Sequence, residues 1–141
     1  MANKQERTLI IIKPDALQRN LLGEIIARFE RKGLKIIGLK MISMDDVLLE
    51  KHYSHHKNKP FFKSLKKYME SSPVIMMVLE GLEVVNAVRL ITGITKGREA
   101  DAGTIRGDFG RDITINVVHG SDSPENADIE INYFFNALEL P

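Results

Sequence analysis

The constraint that most limits this chain's fold is the run Thr8-Leu9-Ile10-Ile11-Ile12 cut off by Lys13-Pro14-Asp15. Five β-branched or aliphatic residues in succession read as a central strand buried on both faces. Pro14 cannot donate to a sheet ladder, so the chain must leave the sheet there. A lysine is thereby set just past the end of a buried strand.

Further elements follow in alternation. Leu21, Leu22, Ile25, Ile26 and Phe29 recur at helical spacing, and Gly33 suits the end of that helix. Leu34 to Met44 reads as a second strand with a possible bulge at Gly38. Asp45 or Asp46 can cap a short helix running to about His52. Pro60 suits the start of another, with Phe61, Phe62, Leu65, Tyr68 and Met69 on one side. Pro73 to Leu79 is a third buried strand, and Val84, Val85, Val88 and Ile91 mark a helix. Thr92 to Arg111 is rich in glycine and charge and long enough for a functional loop. Ile113 to Val118 alternates with polar residues and predicts a fourth strand. Ser123-Pro124-Glu125 opens a last helix, with proline at its first position and Ala127, Ile131, Phe134, Phe135 and Leu138 as its apolar face. The order β-α-β-(helical pair)-β-α-β-α predicts a single α/β (α+β) domain over residues 1–141. Its expected form is a ferredoxin-like sandwich: a βαββαβ core plus the helical pair, with a four-stranded antiparallel sheet covered by helices on one face.

His119, in Asn116-Val117-Val118-His119-Gly120-Ser121-Asp122-Ser123, is the leading candidate for chemistry. Two valines precede it and glycine follows, so an imidazole can be held at a strand end with one nitrogen facing a cleft. Such a group is a nucleophile, a general base or a metal ligand. Lys13, Arg89 and Arg106, if they converge on it, make the fixed positive charge that phosphoryl transfer needs. Neither GxxxxGK[ST] nor GxGxxG occurs, which disfavours P-loop and Rossmann modes of nucleotide binding. Singly, each cation reads as a solvated charge, Phe61 and Phe62 as core, and Glu130 as an exposed helix residue.

Two rival constellations are present. His52 and His56 stand at i and i+4, with His55 beside them, a pattern open to a metal; no acid or cysteine completes the ligand set. Ser121 and Asp122 beside His119 suggest a hydrolase relay, but neighbours in sequence rarely reach that geometry, and no nucleophile elbow precedes the serine.

The bulk properties limit the partners. The formal charge is +1, from 20 basic and 19 acidic side chains, which disfavours binding nucleic acid by bulk charge. No cysteine is present, and no apolar run is long enough to span a membrane. Residues Met1 to Arg7 are polar. The expectation is a cytoplasmic protein with no membrane partner.

At Lys13-Pro14-Asp15, Pro60-Phe61-Phe62, Gly103-Thr104-Ile105-Arg106-Gly107-Asp108-Phe109 and Asn116 to Ser123 the chain resembles the nucleoside diphosphate kinase family. The resemblance runs from about Glu6 to Phe135. It implies transfer of the terminal phosphate of a nucleoside triphosphate to a nucleoside diphosphate, ping-pong through a phosphohistidine, maintaining triphosphate pools. It implies that His119 is the nucleophile, oriented by Glu130 and Ser121. Lys13, Tyr53, Arg89, Thr95 and Arg106 are implied for the phosphates, Asn116 and Lys13 for the ribose, and Phe61 and Ile113 for the base. Mg²⁺ is implied on the nucleotide phosphates without direct protein ligands, with Asp122 reaching it through water. The resemblance also implies a hexamer or tetramer. Two positions depart from the pattern: Ala16 stands for a glycine, and Gly97 for a proline in a loop implied at subunit contacts. Gly97 is expected to leave that loop with more freedom in the unfolded state.

Overall fold

The computed structural model describes residues 5–54, 58–113 and 115–141. Among these, strand β1 (Gln5–Ile12) occupies an interior position in a four-stranded antiparallel sheet that also holds β2 (Lys35–Ile42), β3 (Val74–Leu82) and β4 (Val118–Gly120), in the order β2-β3-β1-β4. Its partners are β3, paired from Gln5↔Leu82 to Ile12↔Ile75, and β4, paired from Ile10↔Gly120 to Ile12↔Val118. At β1's end Pro14 becomes the first residue of a short helix α1 (Pro14–Gln18), where its missing N–H costs nothing.

Alternation along β1 divides the core. Ile10 and Ile12 face Ile25 and Phe29 of α2 (Leu22–Arg31) and Val84 and Val88 of α5 (Val84–Thr92). Leu9 and Ile11 face Leu49 of α3 (Asp46–His52), Leu65 and Met69 of α4 (Phe62–Met69), and Ile131 and Phe134 of α7 (Pro124–Phe134). Helices therefore cover both faces of the sheet, not one. The buried half of β1, Thr8 to Ile12, required this, since a strand covered on one face only would present alternate residues to water.

Local signals agree with the element ends. The Asp45 side chain caps α3 by accepting from the Leu48 N–H, and Ser123 caps α7 by accepting from Asn126. Gly33, just past α2, has φ +92°, which favours glycine. Strand β2 (Lys35–Ile42) shifts register against β3 between Ile36 and Gly38, so the predicted bulge is present.

Three further expectations need correction. Leu138 lies beyond α7 and is 97% exposed, so it is no part of the apolar face. The segment between Thr92 and Arg111 is not bare loop: it holds a 3-10 turn at Gly97–Glu99 and a helix α6 (Ile105–Phe109). The fourth strand is only Val118–Gly120, because the described residues before it turn instead of extending. Val117 has φ +64°, and the Val118 N–H donates to the Asn116 carbonyl at 2.7 Å. A bond across one residue at positive φ is a γ-turn, strained for a β-branched side chain by about 1–3 kcal/mol.

Gly97 has a packing reason. It is buried, and a Cβ there would sit 2.6 Å from the carbonyl carbon of Gly110. The close approach of two backbones, more than freedom in the unfolded chain, accounts for glycine here. Gly97→Ala should therefore destabilise the fold by about 1–3 kcal/mol through overpacking. Denaturant unfolding would show this as a lower midpoint with an unchanged slope; an unchanged midpoint would refute the contact.

Candidate active site

The cleft forms where β1 and β4 end. The Lys13 N–H donates to the strained Val117 carbonyl at 2.8 Å, tying the exit of β1 to the entry of β4. Residue pairing then sets His119 opposite Ile11. A cavity of about 610 Å³ opens here, within the range of small-molecule sites. Lys13, Tyr53, Phe61, Arg89, Thr95, Arg106, Ile113, Asn116, His119, Asp122 and Glu130 all line it. Ser121 does not; it is fully buried beneath.

His119 is held from behind. Its Nε2 lies 3.3 Å from Glu130 Oε1, and the Ser121 hydroxyl donates to the same oxygen at 2.5 Å. Ser121 is itself fixed to β1: its N–H donates to the Leu9 carbonyl, and its Oγ accepts from the Leu9 N–H. Burial pushes the Glu130 carboxyl upward, but the hydrogen bonds from His119 and Ser121 and the nearby His119 and His52 rings together hold it below its ordinary value. Glu130 therefore stays a carboxylate that can accept a proton-bearing Nε2. With Nε2 engaged, Nδ1 is the ring nitrogen left for chemistry. Glu130, which taken singly reads as an exposed helix residue, is half-buried here, and Ser121 is buried; both stand behind the ring, where the family resemblance implies they orient it.

The positive charge is costly to hold. Lys13 donates to Asn116 Oδ1 at 2.9 Å, and Asn116 in turn donates to the Thr95 carbonyl at 2.9 Å. Burial, then the neighbouring Arg106, lower the Lys13 ammonium to about 8. Burial and the charge of Arg89 lower Arg106 to about 10. Arg106 donates to the Gly93 carbonyl at 2.9 Å and to the Val118 carbonyl at 2.8 Å, so it braces the loop before α6 against β4. Its Nε is buried without a hydrogen-bond partner among the described residues. Two buried cations, Lys13 and Arg106, with the exposed Arg89 beside Arg106, form a site electrostatically short of an anion. At the other side, Phe61 is 45% exposed and Ile113 60% exposed, while Phe62 is buried in the core. Two exposed apolar residues on one cavity can take a flat ring.

His52 sits edge-on to His119, with ring centroids 4.8 Å apart. His55 and His56, the other members of the predicted helical His cluster, lie outside the described residues. A hydrolase relay does not form: the Ser121 hydroxyl points to Glu130, and the Asp122 carboxylate accepts from Asn126 at 2.6 Å. Asn126, Ile129 and Tyr133 also line the cavity and were not singled out. The available signal was spacing along α7: Asn126 and Tyr133 stand four before and three after Glu130, and Ile129 stands three from Asn126 and four from Tyr133, so they share a helix face.

The comparisons with known proteins agree in substance. The family model described as nucleoside diphosphate kinase matches residues 6–140. The nucleoside diphosphate kinase of Pyrococcus horikoshii is 55% identical over 98% of this chain and 90% of its own length. That of Pelotomaculum thermopropionicum is 57% identical over 96% of this chain and 91% of its own. Among solved structures, a halophilic nucleoside diphosphate kinase from Halobacterium salinarum in complex with CDP superposes with a TM-score of 0.94 at 43% identity, covering 98% of this chain and 92% of that one. The Aquifex aeolicus nucleoside diphosphate kinase gives 0.93 at 41% identity, covering 98% and 100%.

Lys13 carries a pH signature. Its charged form is disfavoured in the folded state, so folding releases a proton between pH 8 and the lysine's ordinary 10.5. Stability from this group is present above 10.5 and is lost as pH falls through 8. Lys13→Met should therefore be most stable relative to the parent at pH 7, with the advantage shrinking as pH rises through that window. A difference in unfolding free energy that stays flat with pH would exclude the effect.

Proposed function

The chain belongs to the nucleoside diphosphate kinase family, and from that premise we propose that His119 carries the phosphoryl group between nucleotides. Transfer of the terminal phosphate of a nucleoside triphosphate to a nucleoside diphosphate is the family's activity, and it maintains triphosphate pools. The observation that carries the assignment is the fixed imidazole: Nε2 against Glu130, Glu130 against Ser121, Ser121 against β1.

In the first half-reaction the Nδ1 lone pair attacks the terminal phosphorus. The bond to the bridging oxygen breaks, and the diphosphate leaves with those electrons. The ring gains positive charge, which the Nε2 proton shares with the Glu130 carboxylate. In the second half-reaction a terminal oxygen of the acceptor diphosphate attacks the same phosphorus and the P–N bond breaks. Splitting the transfer in two produces ping-pong kinetics. Lys13, Arg89 and Arg106 supply charge already in place, so little reorganisation remains at the moment of transfer. Tyr53, whose hydroxyl is pushed well above its ordinary value by burial and then by the charge of Glu130, stays a neutral donor beside the phosphates. Thr95 completes the phosphate site, Asn116 and Lys13 hold the ribose, and Phe61 and Ile113 sandwich the base. Stacking accepts any base because every base has a π-face.

Mg²⁺ fits this donor set as a passenger of the nucleotide. The cavity is lined by cations, with Asp122 as an acid able to hold a bound water, and Mg²⁺ keeps waters and rides on phosphates. When bound it neutralises phosphate charge. Residues 1–141 read as one such domain, acting in the cytoplasm, in line with a cysteine-free composition. No helix of the described residues is long and apolar enough to cross a membrane. Nothing in the reaction requires nucleic acid. Self-association to a tetramer or hexamer is supported by edge strand β2, where Leu39 and Met41 are more than half exposed.

With γ-labelled ATP, the protein should take up acid-labile, alkali-stable label, and His119→Ala should take up none; label retained by that variant would refute the carrier role. Arg106→Ala should slow transfer by about 10²–10³-fold, read in a coupled assay of phosphate exchange from ATP to a second nucleoside diphosphate. Near-normal turnover would remove Arg106 from the phosphate site.

A further inference from the structure

His52 is left without a task by the phosphate-transfer reading, yet its side chain is only 2% exposed beside the reacting ring. Its Nδ1 lies 3.7 Å from Glu130 Oε2, while Glu130 Oε1 lies 3.3 Å from His119 Nε2. The two imidazoles thus address the two oxygens of one carboxylate. One ligand atom from each of the three residues falls within 4.8 Å of the others. Two histidines and a glutamate are a donor set that holds Zn²⁺ with a fourth position open. Tetrahedral zinc with bonds of about 2.0–2.1 Å separates its ligands by about 3.3 Å, so the widest gap must close by about 1.5 Å, shared among three side chains. The cluster lines the cavity, which gives water access to the fourth position. Ser121 donates to Glu130 and acts as the outer support that metal-binding carboxylates use. The cations in the same cavity oppose a divalent ion held by charge alone, so imidazole-seeking metals are favoured over Mg²⁺ or Ca²⁺.

We infer that His52, His119 and Glu130 form a binding site for a transition-metal ion, Zn²⁺ in the first instance, and that metal held there arrests the enzyme. Coordination takes the lone pair of His119 Nε2. The single proton of the neutral ring then resides on Nδ1, so the attacking nitrogen has no lone pair and the P–N bond does not form. The ring keeps its proton count, and removing the metal reverses the block. Coordination rests on geometry alone; the arrest rests on the phosphohistidine reading.

Equilibrium dialysis of nucleotide-free protein should give one Zn²⁺ per chain. Co²⁺ on the unaltered protein should give the intense visible bands of a four-coordinate site, bleached by Zn²⁺; only the weak bands of six-coordinate Co²⁺ would overturn the site. His52→Asn and Glu130→Gln should each weaken Zn²⁺ by about ten-fold or more. Substituting both His55 and His56 by Asn should leave binding unchanged. Loss in that double variant, or undiminished binding in the other two, would also overturn it. For the arrest, metal-loaded protein is given γ-labelled ATP well below its own concentration, so that nucleotide cannot strip the metal. With Mg²⁺ kept in excess of chelator throughout, uptake should stop at one Zn²⁺ per chain and return when EDTA, which prefers Zn²⁺, strips it. Label taken up despite a filled site overturns the arrest and leaves the coordination standing. Metal-free protein that takes no label overturns the phosphohistidine reading instead.

Discussion

Everything at the site depends on β1 being paired along both edges while buried on both faces. Eight of its residues pair with β3, and its last three also pair with β4. A strand so enclosed cannot shift without unpacking two cores. Its final residues therefore serve as a fixed bench on which Lys13, Ser121 and His119 are mounted. Ser121 exchanges two hydrogen bonds with Leu9, and the Lys13 backbone holds the Val117 carbonyl. The hydrophobic core and the reacting ring are two ends of one ladder.

The chemistry is arranged as an electrostatic deficit. Burial and then Arg106 depress Lys13, burial and then Arg89 depress Arg106, and Arg106 spends two of its donors on backbone carbonyls. Burying like charges this way is unfavourable by itself, and the core must offset it. A polyanion entering the cavity relieves it. At His119 itself the sign is reversed: Glu130 remains charged against burial because two hydrogen bonds and the nearby His119 and His52 rings hold it. The imidazole thus has a carboxylate against its Nε2 and shares its cavity with a cluster of cations.

Much of this was legible in the residues. The apolar run of β1, the proline that ends it, the caps at Asp45 and Ser123, and the bulge at Gly38 each follow from local chemistry. Less was legible where tertiary contacts override local preference. Val117 looks like a strand residue, and only its place between Asn116 and Lys13 explains a left-handed turn there. Glu130 reads as solvated on its own helix because its partners come from β4, the residue just after it, and α3. The cover on the second face was contained in β1's own composition, but the pattern of elements suggested a simpler sandwich. The roles of individual site residues came from the HGSDS resemblance, since no spacing of single histidines distinguishes a phosphate carrier from a buried ring.

Strand β4 also has a bearing on how the molecule assembles. It is three residues long, and its central pair, Ile11 and His119, lies 108 positions apart in the chain. So short a strand adds few hydrogen bonds, and closing so large a loop forfeits chain entropy before those bonds form. Its docking belongs to the late stages of folding and, in reverse, to the first openings of the native state. The reacting histidine is then among the last groups to reach its place and the first to leave it. In a population under thermal stress, activity fades while the β1–β3 pairing and the helices packed on it are still intact.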